Sequence, residues 1–133
     1  MARKSPTVKW QQAPAEHDYP SAGSYLGLIA WPALVDALLA KLEQAPTVQY
    51  HAKDILRAAR LPVLPAEDPE VARDLRKVAK GVRLSPILLV RGDIGTGRGL
   101  QIADGYHRVC ASYHLNDATE VPCRLVELPA LGA

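Results

Sequence analysis

The stretch from residue 86 to residue 108 constrains this 133-residue chain most. Pro86-Ile87-Leu88-Leu89-Val90 is a continuous apolar run of strand length. Leu100-Gln101-Ile102-Ala103 repeats the signal after Gly92-Asp93-Ile94-Gly95-Thr96-Gly97-Arg98-Gly99. The two runs predict a hairpin with a flexible tip. Gly95, Gly97 and Gly99 invite a nucleotide-loop reading, but a phosphate-cradling loop leads from a strand into a helix, and this one leads into a second strand. Asp104-Gly105 follows at once, and then residues 106–115 predict a helix with Val109, Cys110, Tyr113 and Leu115 toward the core, closed by Asn116-Asp117. A last strand is expected within residues 120–128, with Pro122 marking an edge position or a strand entry.

Upstream, Leu28, Trp31, Leu34, Val35, Leu38, Leu39 and Leu42 recur at three- and four-residue steps, so residues 24–44 predict an amphipathic helix whose main part starts at Pro32. Ala45-Pro46 ends it, because the residue before a proline avoids helical geometry. Residues 47–52 alternate as a short strand, and residues 53–59 make a short helix. Asp68-Pro69-Glu70 is the clearest helix start: Asp68 caps free N–H groups, Pro69 takes the first helical position and Glu70 suits the positive dipole end. Val71, Leu75, Val78 and Val82 mark the buried face of that helix. Arg73, Arg76, Lys77 and Lys80 mark the other, either as a solvated face or as a phosphate-backbone contact to DNA, and Gly81 supplies a left-handed stop.

Apolar residues at 48% and charged residues at 23% are globular proportions, and the length suits one core. With no Phe in the chain, that core is expected from Leu, Val, Ile and Ala. A net charge of +2 is too mild for a dedicated nucleic-acid domain. The longest apolar run, residues 25–35, is interrupted by Gly27 and Pro32 and falls short of a bilayer span of about 20 residues, so no membrane association and a cytoplasmic location are expected. Cys110 and Cys123 lack C-x-x-C spacing and read as reduced, buried thiols. Residues 1–23 read as a mobile or loosely docked arm that carries no chemistry, with Trp10 helping it dock. His17, His51 and His114 show no ligand spacing, so no structural metal is expected. His114 reads as a helix-end cation.

The chemistry concentrates in Ala103-Asp104-Gly105-Tyr106-His107-Arg108. A strand, a tight turn and a helix start form an anion site, because helix N-termini present unpaired N–H groups and about half a positive charge. Gly105 allows close backbone approach, Arg108 offers a planar fork for two phosphate oxygens, and His107 donates from its ring or, when protonated, adds charge. Asp104 does not fit simple anion binding; it caps the helix, holds Mg²⁺ with the phosphates, or accepts a proton from a substrate hydroxyl.

On these residues, from about residue 50 to residue 128, the chain resembles the ParB/sulfiredoxin superfamily. Asp104-Gly105-Tyr106-His107-Arg108 is similar to the G-C-H-R turn of sulfiredoxins and to the D-G-H-H-R turn of ParB-like free serine kinases. ParB N-terminal domains carry G-E-R-R there. Arg60-Leu61-Pro62-Val63-Leu64-Pro65 followed by Asp68-Pro69-Glu70-Val71 also resembles the first strand and helix entry of sulfiredoxin. The sulfiredoxin nucleophile falls at Tyr106, so that activity is not expected, and at this length a full segregation factor with its DNA-binding and dimerisation regions is not expected either.

The resemblance implies an α/β (α+β) fold: a small mixed sheet with helices packed on it, residues 47–133, preceded by the helix of residues 24–46 and the arm. It implies a protein binding ATP or CTP with Mg²⁺ through Gly105, Tyr106, His107 and Arg108. As an enzyme it would be a small-molecule kinase, another phosphotransferase or a nucleotide hydrolase, with Asp104 and Glu67, or its neighbour Asp68, as candidate catalytic carboxylates. The alternative is a non-catalytic module that uses the nucleotide as a switch, contacts DNA through the basic helix, or docks on a partner or a second copy through the helix of residues 24–44.

Overall fold

The computed structural model describes residues 6–129. Among these residues, five helices, α1 (Asp18–Leu26), α2 (Pro32–Gln44), α3 (Ala52–Ala59), α4 (Pro69–Ala79) and α5 (Tyr106–Leu115), surround four strands, β1 (Thr47–His51), β2 (Ile87–Val90), β3 (Gln101–Asp104) and β4 (Glu120–Val126). The sheet order is β1-β4-β2-β3. β4 is antiparallel to β1 and parallel to β2, and β3 is antiparallel to β2, so the sheet is mixed and the class is α+β.

β2 explains the layering. All four of its residues are buried, and with a period of two they serve opposite faces. Ile87 and Leu89 join Val109, Cys110, Val121 and Cys123 beneath α3, α4 and α5, while Leu88 and Val90 join Leu26, Leu38 and Leu42 beneath α1 and α2. An uninterrupted apolar run is what a strand covered on both faces requires. Leu, Val, Ile and Ala supply most of that core, joined by two free, buried cysteines. Burial pushes the Cys123 thiol up to about 12, so it stays neutral.

Several local expectations hold. Asp68 Oδ2 accepts from the N–H groups of Glu70 and Val71, both at 3.1 Å, with Pro69 first in α4. Gly81 has φ +75°, α2 stops before an extended Ala45, and α5 spans the expected ten residues. Arg124 reaches across β4 to donate to the carbonyls of Leu42 (3.3 Å) and Glu43 (2.8 Å), tying the C-terminal end of α2 to the sheet.

Other expectations are corrected. Of the arm expected over residues 1–23, residues 1–5 lie outside the described residues, residues 6–17 hold no helix or strand and dock through Trp10 as expected, and only residues 18–23 depart from the expectation. Trp10 bridges Leu84, with Gln11 N donating to Leu84 O at 2.7 Å, and residues 18–23 belong to α1, which packs on β3. The single helix expected over residues 24–44 is two helices, because the chain breaks at Gly27 and re-enters at Pro32. Leu28 and Trp31, assigned to its apolar face, lie in that break and are 84% and 71% exposed. Residues 60–65 form no strand; the prolines at 62 and 65 cannot donate to a ladder, and the segment crosses α5 as a loop. Val82 is exposed, since α4 has already stopped. Pro122 is not on an edge strand, because β4 is flanked by β1 and β2; it lies one residue before the first β2 pair, Ile87 with Cys123, so the strand-entry reading stands.

Candidate functional site

The turn between β3 and α5 is built around Gly105. Its φ of +113° lies in the left-handed region, and a Cβ placed there would stand 2.4 Å from Ile87 Cδ1. Glycine is therefore demanded by the core beneath the turn rather than by space for a ligand. The first N–H groups of an α-helix have no intrahelical partners, and among the described residues no side chain caps those of α5.

Arg108 does not reach outward. One guanidinium nitrogen donates to Asp104 Oδ2 at 2.5 Å; the other donates to Ser85 O at 2.8 Å and to Asp18 Oδ2 at 3.3 Å. Ser85 Oγ donates to the same Asp18 oxygen and accepts from Ala15 N at 2.9 Å. The Arg108 side chain is 13% exposed, so it works as a tie between the β3 turn, the start of β2 and the start of α1. Burial raises the pKa of Asp104 above 3.8, while Arg108 beside it pulls the other way.

Tyr106 is also turned inward. Its hydroxyl donates to Pro62 O at 2.5 Å, the Cys110 sulfur accepts from Leu64 N at 3.4 Å, and the His114 ring donates to Leu64 O at 2.6 Å. These positions, four residues apart, form one stripe that clamps the loop of residues 62–64. Burial raises both the Tyr106 phenol and the Cys110 thiol. His114 is thus a loop anchor rather than a free helix-end cation.

A cleft of about 380 Å³ opens where this turn meets α1 and α4. Arg73, Lys77, Arg83 and Arg108 line it against Asp18, Glu70, Asp74 and Asp104, so its formal charges balance. His107 stands at its mouth, 43% exposed, with Nε2 4.0 Å from Asp68. Arg73 pairs with Glu70, and Arg83 donates to Trp10 O at 3.1 Å.

The predicted site residues therefore divide. Asp104, Gly105, His107, Arg108, Arg73 and Lys77 converge on the cleft. Arg76 and Lys80 are exposed on α4 outside it. Tyr106 does not line the cleft, since its ring lies on the loop. Glu67 is exposed and does not line the cleft, so the structure does not bring it to Asp104: it precedes the cap at Asp68, outside α4.

Asp74 escaped the sequence reading. It is buried at 7% exposure and lines the cleft, yet no hydrogen bond or ion pair to its carboxylate is made among the described residues. Burial raises its pKa above 3.8, opposed first by Lys77. An acid set among Val71, Leu75 and Val78 on the apolar face of α4 was the signal that could have found it.

The carboxylates nearest the turn do not fit a protein-held Mg²⁺, because the Arg108 guanidinium already occupies Asp104 and Asp18. Among the described residues no group of three or more His, Cys, Asp or Glu is arranged to hold a metal ion. No helix among them is long and apolar enough to cross a membrane. No protein-family model, curated protein or solved structure matches this chain.

Proposed function

We propose that the cleft at the start of α5 binds the phosphate groups of a nucleotide, ATP or CTP, with Mg²⁺ arriving on the phosphates. The observation that carries this reading is the uncapped N-terminus of α5 opening into a cleft walled by Arg73, Lys77, Arg83 and His107. Free N–H groups and flexible cations suit phosphate oxygens. Asp74, without a partner among the described residues, would accept from a ribose hydroxyl or a base amino group. Arg108 would act as a positioning residue, since it fixes the turn through Asp104 and Asp18. The resemblance of Asp104-Gly105-Tyr106-His107-Arg108 to the ParB/sulfiredoxin turn supports the same ligand class.

Calorimetric titration with ATP, CTP and ADP, each with and without Mg²⁺, tests the reading. Micromolar binding that weakens about tenfold in Lys77→Ala and in His107→Ala, one charge-assisted contact each, is the expected outcome. Absence of binding to all three nucleotides overturns it.

A phosphotransfer reading rests on one further observation. Asp104 lies in the cleft with its pKa raised by burial, as a group accepting a proton from a substrate hydroxyl requires. Asp104→Asn would then abolish turnover while sparing nucleotide binding. The DNA reading draws on the four basic residues exposed on one side of α4; it predicts duplex binding that weakens steeply with salt and equally in Arg76→Ala and Lys77→Ala.

A further inference from the structure

At the other end of the sheet a cavity of about 620 Å³ lies between α3, the sheet face and the loop of residues 91–99. It shares no lining residue with the α5 cleft, because the cleft is built at the start of β2 and this groove at its end. Ile55 and Leu89, both buried in the core, lie beneath it, and the partly exposed Leu100 and Leu125 make its apolar floor. Arg57, Arg60, Arg91 and Arg98 stand around it, against Asp54 and Asp93.

Two of these arginines are spoken for. Arg57 pairs with Asp54 at 3.2 Å, and Arg91 pairs with Glu127 at 3.0 Å. Among the described residues Arg60 and Arg98 have no carboxylate partner. Both are placed by backbone rather than by side-chain pairing. Arg60 ends α3 in the left-handed region at φ +57°, a position where glycine carries no penalty and arginine costs about 1 kcal/mol. Arg98 sits on a closed hairpin, with Asp93 N donating to Arg98 O at 2.8 Å and Arg98 N to Asp93 O at 3.0 Å. The hairpin narrows so far that a Cβ on Gly92 would come 2.4 Å from Arg98 O, so the backbone that carries Arg98 is tightly closed at the edge of the groove.

We propose that this groove is a second ligand site, for a small organic anion with an apolar body. Its carboxylate or phosphate headgroup pairs with Arg60 and Arg98, and its apolar part covers the partly exposed Leu100 and Leu125. The volume falls in the range of small-molecule sites, about 300–1,000 Å³. Planar guanidinium forks recognise either headgroup. A lining of floor leucines and rim arginines discriminates against neutral amphiphiles, which leave the cations unpaired, and against compact inorganic anions, which leave the floor wet.

The test is fluorescence titration of the full chain with anilinonaphthalene sulfonate, followed by displacement with octanoate, octyl phosphate and octanol. The expected result is saturable one-site binding, reversed by the anions and not by octanol; whichever anion displaces at lower concentration identifies the headgroup. Arg60→Gln with Arg98→Gln should weaken binding of the probe about tenfold or more while ATP titration of the α5 cleft is unchanged. Should the double variant melt early, Arg98→Gln alone carries the same comparison. Unsaturable fluorescence, octanol displacing as well as octanoate, or unchanged probe affinity in the arginine variants overturns the proposal. Failure of nucleotide binding alone leaves it standing.

Discussion

The two ends of the sheet use arginine in opposite ways. At the start of β2, Arg108 is largely buried and shared between Asp104, Asp18 and a backbone carbonyl, so its charge is spent on holding three segments together. At the end of β2, Arg60 and Arg98 are exposed and unpaired among the described residues, above an apolar floor. A buried ion pair owes its value to geometry, and removing one partner leaves an uncompensated charge; an exposed arginine beside an apolar groove stabilises little and remains free for a ligand. The same residue type therefore marks architecture at one end and recognition at the other.

The sharpest way to break this contrast is Arg108→Ala. Asp104 and Asp18 would be left facing each other without their cation, and denaturant unfolding should show a loss of about 3–5 kcal/mol. Arg98→Gln should move stability by no more than about 0.5 kcal/mol. Equal effects would end the distinction between the two sites.

Gly105→Ala comes next. It combines a left-handed φ with a Cβ driven into Ile87, and thermal melting should report a loss of about 3 kcal/mol. Retention of full stability would mean that the turn can relax, and that the glycine serves the ligand after all.

Asp74→Asn has the smallest expected effect and the most informative one. Burial raises the Asp74 pKa in the folded state, so the stability its protonated form contributes is fully present below 3.8 and is lost as pH rises through the folded value. The substitution should therefore be neutral near pH 3 and stabilising at pH 7, read as a flatter dependence of the denaturation midpoint on pH. At pH 7 it should also weaken nucleotide binding if the carboxylate accepts from the ligand. A gain in stability with no change in binding would make Asp74 a structural acid and remove it from the site.

Features decided between neighbours in sequence were legible. Asp68-Pro69 started α4, Gly81 and Asn116 followed the ends of α4 and α5, and Asp104-Gly105 turned β3 into α5, because caps, prolines and positive φ act over a few residues. The cleft was half legible for the same reason. Its turn was visible, while Asp18 lies 90 residues from Arg108 and was assigned to an inert arm. Arg108 itself looked like a phosphate fork because its carboxylate partners could not be seen together. The groove was not legible at all: its lining comes from α3, β2, β4 and the hairpin, and its glycine-rich loop gave a phosphate signal that its strand-to-strand setting discounted.

Sequence alone determined the α+β class, the position of the turn at Asp104-Gly105 and the short-range stops and starts around it. Tertiary structure alone decided that Arg108 faces inward, that Glu67 stays outside, that Asp74 is buried without a partner among the described residues and that Arg60 and Arg98 share a groove. The physical reason is range: local backbone preferences are written in adjacent residues, whereas the partners of a buried charge depend on the path of the whole chain, which packing selects.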